Sequence, residues 1–238
     1  MGTPIIYPSI YFYKKFTEFE ELVKTEALEE RHCAKGDSLT RYGSINNHAH
    51  YIKSGIIHLS LAHPGGGEKS LALFGPGSIF PIGMTQHRFK AEYEMILRAF
   101  TDLHVYRLPY MTLRKLALKK PELAVALLEF DCDFIGYLFF DSVNQAFETT
   151  LTRICDILYL YYTDSPITGC EIQISQATLA SIAGASRAQM ERSIQTLRNK
   201  GAVKTGRNKI QLLDISKIME FCSAGMREKY REENIPTR

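Results

Sequence analysis

The chain has 238 residues, of which 45% are hydrophobic and 23% charged, a composition typical of a globular protein with room for two small domains. No apolar run approaches the ~18 residues that a membrane-spanning helix requires, and lysines follow the apolar N-terminal segment, the reverse of a secretory signal. We therefore expect a cytoplasmic protein with no membrane partner. The five cysteines are far apart and include no CxxC pair, which argues against a disulfide framework or an iron–sulfur cluster but leaves a redox role for one of them open.

The first predicted region is a β-roll. Between about Ala34 and Arg107, β-rich runs alternate with Gly, Pro and Asn turns, which is the spacing of an antiparallel barrel or double-sheet roll. The runs cover residues 51–53, 56–61, 70–74, 95–100 and 103–108. The glycines at positions where such a roll needs tight corners are Gly36, Gly43, Gly55, Gly75 and Gly77. We predict a double-stranded β-helix or jelly-roll domain over residues 1–120, with an apolar interior.

Two proline-initiated helices follow. Pro109 begins a short helix through Leu118, and Pro121 begins a long one through about Phe147. Two apolar stripes in alternating steps of three and four run along the long helix: Val125, Leu128, Cys132, Ile135 and Phe139; and Leu123, Leu127, Phe130, Phe134 and Tyr137. One stripe can cover the roll and the other is typical of a coiled-coil seam, so residues 121–148 are predicted to form a dimerisation helix. The alternative is that both stripes belong to the core of one domain.

A further helix, Thr149 to Tyr162, leads into the C-terminal region, residues 149–238. There Ser175 can cap the start of a short helix. Small residues at Ala180 and Gly184, four positions apart, suit two helices that cross at close range. Together these features predict a helix-turn-helix.

The second helix of this pair is predicted to begin with a capping box formed by Ser186 and Gln189. Its inward stripe is Met190, Ile194 and Leu197, at positions i, i+4 and i+7. The residues on the opposite side are Ala188, Arg192, Gln195 and Asn199, with Arg187 beside them in the first turn. A guanidinium on that face can pair with guanine O6 and N7 in the major groove of DNA.

A basic hairpin follows the second helix. Apolar and polar residues alternate around Val203 and 210–212 with a break at 206–208, which predicts a two-stranded wing beside the phosphate backbone. From residue 187 to 209 there are seven Lys or Arg and one acid, a net +6, whereas the whole chain carries +3. Basic character is therefore local, as expected of one nucleic-acid-binding face. The alternative is a solvated basic helix without a ligand. The candidate DNA-binding residues are Ser175, Ser186, Arg187, Ala188, Gln189, Arg192, Gln195, Lys204, Arg207 and Lys209.

A roll, a long helix and a winged helix-turn-helix, in that order, resemble the Crp/Fnr family of bacterial transcription regulators. The most specific match is residues 182–187, IAGASR, followed by Arg192; residues 36–38 and 51–55 match the roll more loosely. The resemblance implies an α+β fold and a homodimer on a pseudo-palindromic site in double-stranded DNA. It also implies that a small-molecule effector controls the roll domain, with RNA polymerase as a further candidate partner.

The resemblance further implies base contacts by Arg187 and Arg192 and by the residue after the first arginine. The best-known members carry a glutamate there, which accepts a hydrogen bond from cytosine. Ala188 can only touch a thymine methyl group or leave the base uncontacted. The usual half-site of the family is therefore in doubt at that base pair.

Cyclic-nucleotide-binding relatives carry a Gly-Glu pair and an Arg-Ser or Arg-Thr pair in the roll. The corresponding stretch here, residues 77–84 through 98–100, has no Gly-Glu pair, and Arg98 has no hydroxyl neighbour, so the resemblance argues against cyclic AMP. An apolar lining with phenol edges would suit a small hydrophobic or aromatic effector. Its candidate residues are Phe80, Ile82, Met84, Tyr93, Phe130, Phe134 and Tyr137. Side chains that simply fill the roll would give the same set.

The seven histidines make a metal site a possibility to consider. His48 and His50 lie two apart on a probable strand and faintly resemble the metal motif of cupins, but the glutamate that this motif requires is absent. We therefore expect exposed histidines at a loop–strand junction, no metal site and no cofactor, although a single haem-binding histidine such as His58 or His87 is left open.

The chain carries no nucleophile–base pair, Walker loop or dinucleotide fingerprint, so the sequence predicts a protein that is not an enzyme. Two alternatives are a cupin-like metal-dependent enzyme with an appended basic domain and a sensor whose helix-turn-helix binds protein.

Overall fold

The computed structural model describes residues 8–40, 46–81, 93–164 and 170–234. They divide into two compact units: residues 11–135, and the described residues among 1–10 and 136–238. The longest helix, Pro121–Phe147, begins in the first unit and ends in the second. Among the described helices, none has the length and apolar character needed to cross a lipid bilayer.

The first unit is built on two four-stranded sheets. Its strands are β1 (Tyr11–Phe12), β2 (Glu29–Cys33), β3 (His48–Ser54), β4 (Ile57–Ala62), β5 (Glu68–Phe74), β6 (Ile79–Phe80), β7 (Glu94–Ala99) and β8 (Leu103–Pro109). One sheet has the order β1-β5-β4-β7 and the other β2-β8-β3-β6. The predicted roll is confirmed. It also includes β1 and β2, which lie before residue 34, where the predicted β-rich stretch begins.

The interior of the roll is filled by inward-facing residues of both sheets. Ile52, Ile57, Leu97 and Val105 are completely buried, and each contributes roughly 2 kcal/mol by leaving water. Alternation along the strands places these side chains on one face, which is why the sequence pattern identified the strands.

One predicted glycine corner shows why that residue type is needed. Gly55 joins β3 to β4 with φ at +84°, and a Cβ at this position would collide with the carbonyl oxygen of Asp102. Gly36 and Gly77 also have positive φ, whereas Gly43 lies outside the described residues.

The helices of the first unit are α1 (Glu20–Thr25), which follows a 3₁₀ turn at Thr17–Phe19, then α2 (Tyr110–Lys119) and the first half of α3 (Pro121–Phe147). The two predicted stripes of α3 differ in burial. In one, Leu123, Leu127, Phe130 and Tyr137 are buried. In the other, Val125, Leu128, Ile135 and Phe139 are exposed. The alternative in which both stripes form the core of one domain is therefore wrong for the single chain.

The second unit holds the C-terminal elements. They are α4 (Thr150–Asp164), β9 (Glu171–Ile172), α5 (Gln176–Ala183), α6 (Arg187–Asn199), β10 (Val203–Gly206), β11 (Lys209–Leu212), α7 (Ile215–Met219) and α8 (Ala224–Glu233). The predicted two-stranded wing is in fact a three-stranded sheet with the order β10-β11-β9. A two-residue strand such as β9 has too few residues to produce a periodic pattern.

Candidate DNA-binding surface and effector region

A serine caps the N-terminus of each helix of the helix-turn-helix. Ser175 Oγ accepts a hydrogen bond from the backbone N–H of Thr178 at 3.0 Å and so begins α5. Ser186 Oγ accepts from the N–H of Gln189 at 3.2 Å, and the Ser186 N–H donates to Gln189 Oε1 at 2.8 Å. The predicted capping box is confirmed, and each cap is worth roughly 1 kcal/mol.

The turn between α5 and α6 requires Gly184. Its φ is +59°, a left-handed conformation that ends α5, and an added Cβ would collide with the side-chain oxygen of Gln145. The sequence attributed the small residues at 180 and 184 to a close crossing of the two helices. At Gly184 the close neighbour is instead a side chain of α3.

The buried guanidinium of Arg153 also holds this turn, through its backbone carbonyls. Arg153, on α4, donates from Nε to the carbonyl of Ala183 at 2.8 Å and from its terminal nitrogens to the carbonyls of Glu148 at 2.8 Å and Gly184 at 3.4 Å. Gln145 Nε2 donates to the same Ala183 carbonyl at 3.2 Å. The turn before α6 is thus tied to α4 and to the end of α3.

Buried Asp156 on α4 makes a second connection of this kind. It accepts hydrogen bonds from Asn144 Nδ2 at 3.1 Å and from the backbone N–H of Ser223 at 2.9 Å, just before α8. Burial raises the pKa of Asp156, and these hydrogen bonds partly oppose the effect. Arg153, Gln145 and Asp156 were not predicted from the sequence, because a polar residue on a helix carries no local sign that its partner lies in a distant turn.

Helix α6 has one buried face and one exposed face, as predicted. Met190, Ile194 and Leu197 are buried. The exposed residues are Arg187, Ala188, Arg192, Gln195 and Asn199. Arg187 Nε lies 3.0 Å from Glu191 Oε1, one helical turn later, in an ion pair that is open to solvent. Such an exposed pair is worth at most about 0.5 kcal/mol, so Arg187 can leave it for a stronger acceptor.

The wing is basic, but its cations are not equivalent. Lys204 and Arg207 are exposed on β10 and in the turn after it. Lys209 Nζ lies 2.9 Å from Glu171 Oε2, which lowers the pKa of that carboxyl group and offsets the lysine's charge. Lys209 was predicted to lie beside the phosphate backbone with Lys204 and Arg207. Its ion pair with Glu171 on β9 was not predicted.

The predicted effector-lining residues do not all lie together in the described structure. Phe80, Phe130 and Phe134 come together in the first unit, where the Phe80 and Phe134 rings lie 5.7 Å apart and Phe74 stacks on Phe80 at 4.0 Å. Tyr93 is half-exposed. Tyr137 is buried and belongs to the second unit. Ile82 and Met84 lie outside the described residues.

A cavity of about 500 Å³ lies in the first unit, and its lining is mostly polar and includes none of these rings. Arg107 is one of the lining residues, 2.6 Å from Glu29 Oε1 and 3.1 Å from His48 Nε2. Burial lowers the pKa of His50, beside them, to about 4. His50 is 1% exposed, so the expectation of an exposed histidine is wrong at this position.

Comparisons with known proteins match both units. The model of the cyclic nucleotide-binding domain matches residues 30–120, and the model of the Crp-like helix-turn-helix domain matches residues 152–221. The chain belongs to the Crp/Fnr family. Membership makes it a DNA-binding transcription regulator with an effector-binding domain.

Individual members of the family are only distantly similar. A cyclic AMP receptor protein of Thermus thermophilus is 24% identical over 200 residues, which cover 82% of this chain and 88% of that protein. The c-di-GMP-responsive global regulator CLP of Xanthomonas campestris is 19% identical with a TM-score of 0.71, covering 82% of this chain and 98% of that one. A Crp/Fnr-family regulator of Thermus thermophilus is 22% identical with a TM-score of 0.66, covering 81% and 97%. Identities this low support the fold and do not identify a ligand.

Proposed function

We propose that this chain regulates transcription as a homodimer that binds a pseudo-palindromic operator through α6 and responds to a small hydrophobic or aromatic effector. The exposed face of α6 is the observation that carries this proposal. Its apolar stripe is fully used in packing, so Arg187, Arg192 and Gln195 have no packing role and project into solvent. Side chains of these types at helical spacing match the donor and acceptor pattern of the major groove.

Each base-facing residue has a distinct role in this proposal. Arg187 and Arg192 donate to guanine O6 and N7, with discrimination of about 1–3 kcal/mol for each base pair. Ala188 offers only a methyl group, which fits thymine. Lys204 and Arg207 in the wing contact phosphates and add affinity that does not depend on sequence.

The exposed stripe of α3 supports the homodimer. Leu128 is 65% exposed and Phe139 is 70% exposed, and the stripe continues for several turns. Burial of such a stripe against the same stripe of a second copy removes the apolar surface from water, and a two-fold pair of α6 helices then reaches successive major grooves. Effector binding in the roll would change the pairing of the two α3 helices and so the spacing of the recognition helices.

The effector is proposed to be apolar and not cyclic AMP. The aromatic rings of Phe80, Phe130 and Phe134 offer faces and edges and no charge. Arg98, the nearest analogue of a phosphate-binding arginine, lies 3.5 Å from Glu68 Oε1 and is 42% exposed. The residue after Arg98 is Ala99, which offers no hydroxyl group to a cyclic phosphate.

Two substitutions test the assignment of α6. Arg187→Ala and Arg192→Ala are each expected to abolish sequence-specific protection in a DNA footprint while leaving the mass of the dimer unchanged, because both side chains are exposed. Arg114→Ala, at an exposed arginine of α2, is the matched control and is expected to footprint like the wild type. Wild-type footprints from both α6 variants would refute the assignment.

A further inference from the structure

The pairing of β2 with β8 brings together three side chains that the sequence separates. His32 stands directly opposite His104, and Glu30 lies two residues from His32 on the same side of β2. The two imidazole rings stack with centroids 4.0 Å apart, and Glu30 Oε1 contacts His104 Nε2. One ligand atom from each residue lies within 4.8 Å of the other two.

Two imidazole nitrogens and one carboxylate oxygen form a donor set for divalent transition-metal ions. An ion about 2.0–2.2 Å from each donor would require the three atoms to move slightly, and Glu30 and His32 are exposed and free to do so. The backbone on which they stand is fixed by five consecutive residue pairs between β2 and β8. A preformed strand pair lowers the entropy that ordering the ligands would cost.

We propose that Glu30, His32 and His104 bind one divalent first-row transition-metal ion, such as Zn²⁺, and that this ion fastens β2 to the roll. Among the described strands, β2 stands at the edge of its sheet and pairs with β8. A metal ligated from both strands adds a crosslink at that edge. Water would occupy the remaining coordination positions, because the site faces solvent.

A neighbouring cation, Lys53, would compete with a metal ion for Glu30. Lys53 Nζ lies 3.9 Å from Glu30 Oε1 and 5.6 Å from the centroid of the Tyr106 ring. This ammonium is a second partner of Glu30 beside His104, and it would repel an incoming cation. Lys53→Met is therefore expected to strengthen metal binding. If Glu30 were not a metal ligand, loss of its ion pair with Lys53 would leave the affinity for the metal unchanged.

Calorimetric titration of the full chain, stripped with a chelator, tests the site with Zn²⁺ alone. We expect saturable binding of one ion, weakened at least ~10-fold in His32→Gln and in His104→Gln. Lys53→Met should bind about three to ten times more tightly at low salt. His63→Gln, at an exposed histidine in the β4–β5 turn, is the matched control and should bind like the wild type.

A stability measurement gives a second readout that does not depend on calorimetry. Excess Zn²⁺ should raise the melting temperature of the wild type and not of His32→Gln, whose exposed side chain can be replaced without loss of folding. Failure of the wild type to bind Zn²⁺ saturably would overturn the proposal. So would one-to-one binding retained in both histidine variants, since it would place the ion elsewhere. Neither result bears on the assignment of α6 to DNA.

Discussion

Among single residues, Arg153 is the buried side chain that holds the turn before α6. It donates to three backbone carbonyls, two of them at the end of α5 and in that turn. Arg153 and Ala183 are buried, so loss of the guanidinium removes hydrogen bonds from a largely buried site. Arg153 acts through the backbone of the turn and is a positioning residue for α6.

Arg153→Gln is accordingly expected to destabilise the second unit by about 2–4 kcal/mol. Gln145→Ala, which removes one hydrogen bond to the same Ala183 carbonyl, should cost only about 1 kcal/mol. Urea unfolding followed by circular dichroism measures both. Equal unfolding midpoints for Arg153→Gln and the wild type would show that the turn is held by other contacts.

Two buried histidines predict a loss of stability in acid. Burial lowers the pKa of His50 and of His58 to about 4, whereas an unfolded chain titrates near 6.5. As the pH falls from 6.5 toward 4, the unfolded chain takes up protons that the folded chain does not, so stability is lost in that window. The loss between pH 7 and pH 5 is about 2 kcal/mol for each histidine.

Urea titrations at pH 7 and pH 5 check this, and His58→Asn should remove about half of the difference. His63→Gln, at an exposed position, should retain the full difference. A stability that stays constant across this range would mean that both rings can be protonated in the folded roll.

The sequence could predict the residues whose partners are close along the chain. The capping box at Ser186 and Gln189 and the inward stripe of α6 need only local spacing, and the structure confirms both. Arg153 and its acceptor Ala183 are separated by 30 residues, and Glu30 and His104 by 74. Contacts of this range depend on the packing of helices and on the register of strands, which no local pattern specifies.

Among the elements, α3 has one apolar stripe that remains exposed in the single chain. Its exposed leucine and phenylalanine side chains lie on one stripe, and an apolar helix surface of this length is unusual in a monomer. The long helix itself was predictable, because proline stands at its start and apolar steps of three and four run from Leu123 to Phe139. The short strands β1 and β9 were not, since each has two residues and exists only through its partners.

Leu128→Arg should therefore convert the protein to a monomer, because two-fold symmetry would bury the added charge twice in an apolar seam. Leu118→Arg is the matched control: Leu118 is 75% exposed on α2, outside the stripe, and its variant should remain a dimer. Sedimentation velocity distinguishes the two states. A Leu128→Arg variant that still sediments as a dimer would place the interface elsewhere.

For the whole molecule, basic charge is concentrated in one segment. The α6 and wing segment carries +6, so the remainder of the chain is mildly acidic and is repelled by phosphate. Local basic charge and an exposed apolar stripe on α3 are the two features that the proposed DNA-binding homodimer requires. The sequence predicted both features, but it could not predict how the roll is filled, because core and ligand pocket use the same aromatic residues.

Two copies of α6 are expected to contact DNA as a symmetric pair. Selection of bound sites from a random DNA library by the full-length protein tests it directly. The account predicts an enriched pseudo-palindrome with guanines in each half-site and half-site centres one helical turn apart, ~10–10.5 base pairs. Enrichment of a single unrepeated half-site, or no enrichment above the library, would contradict it.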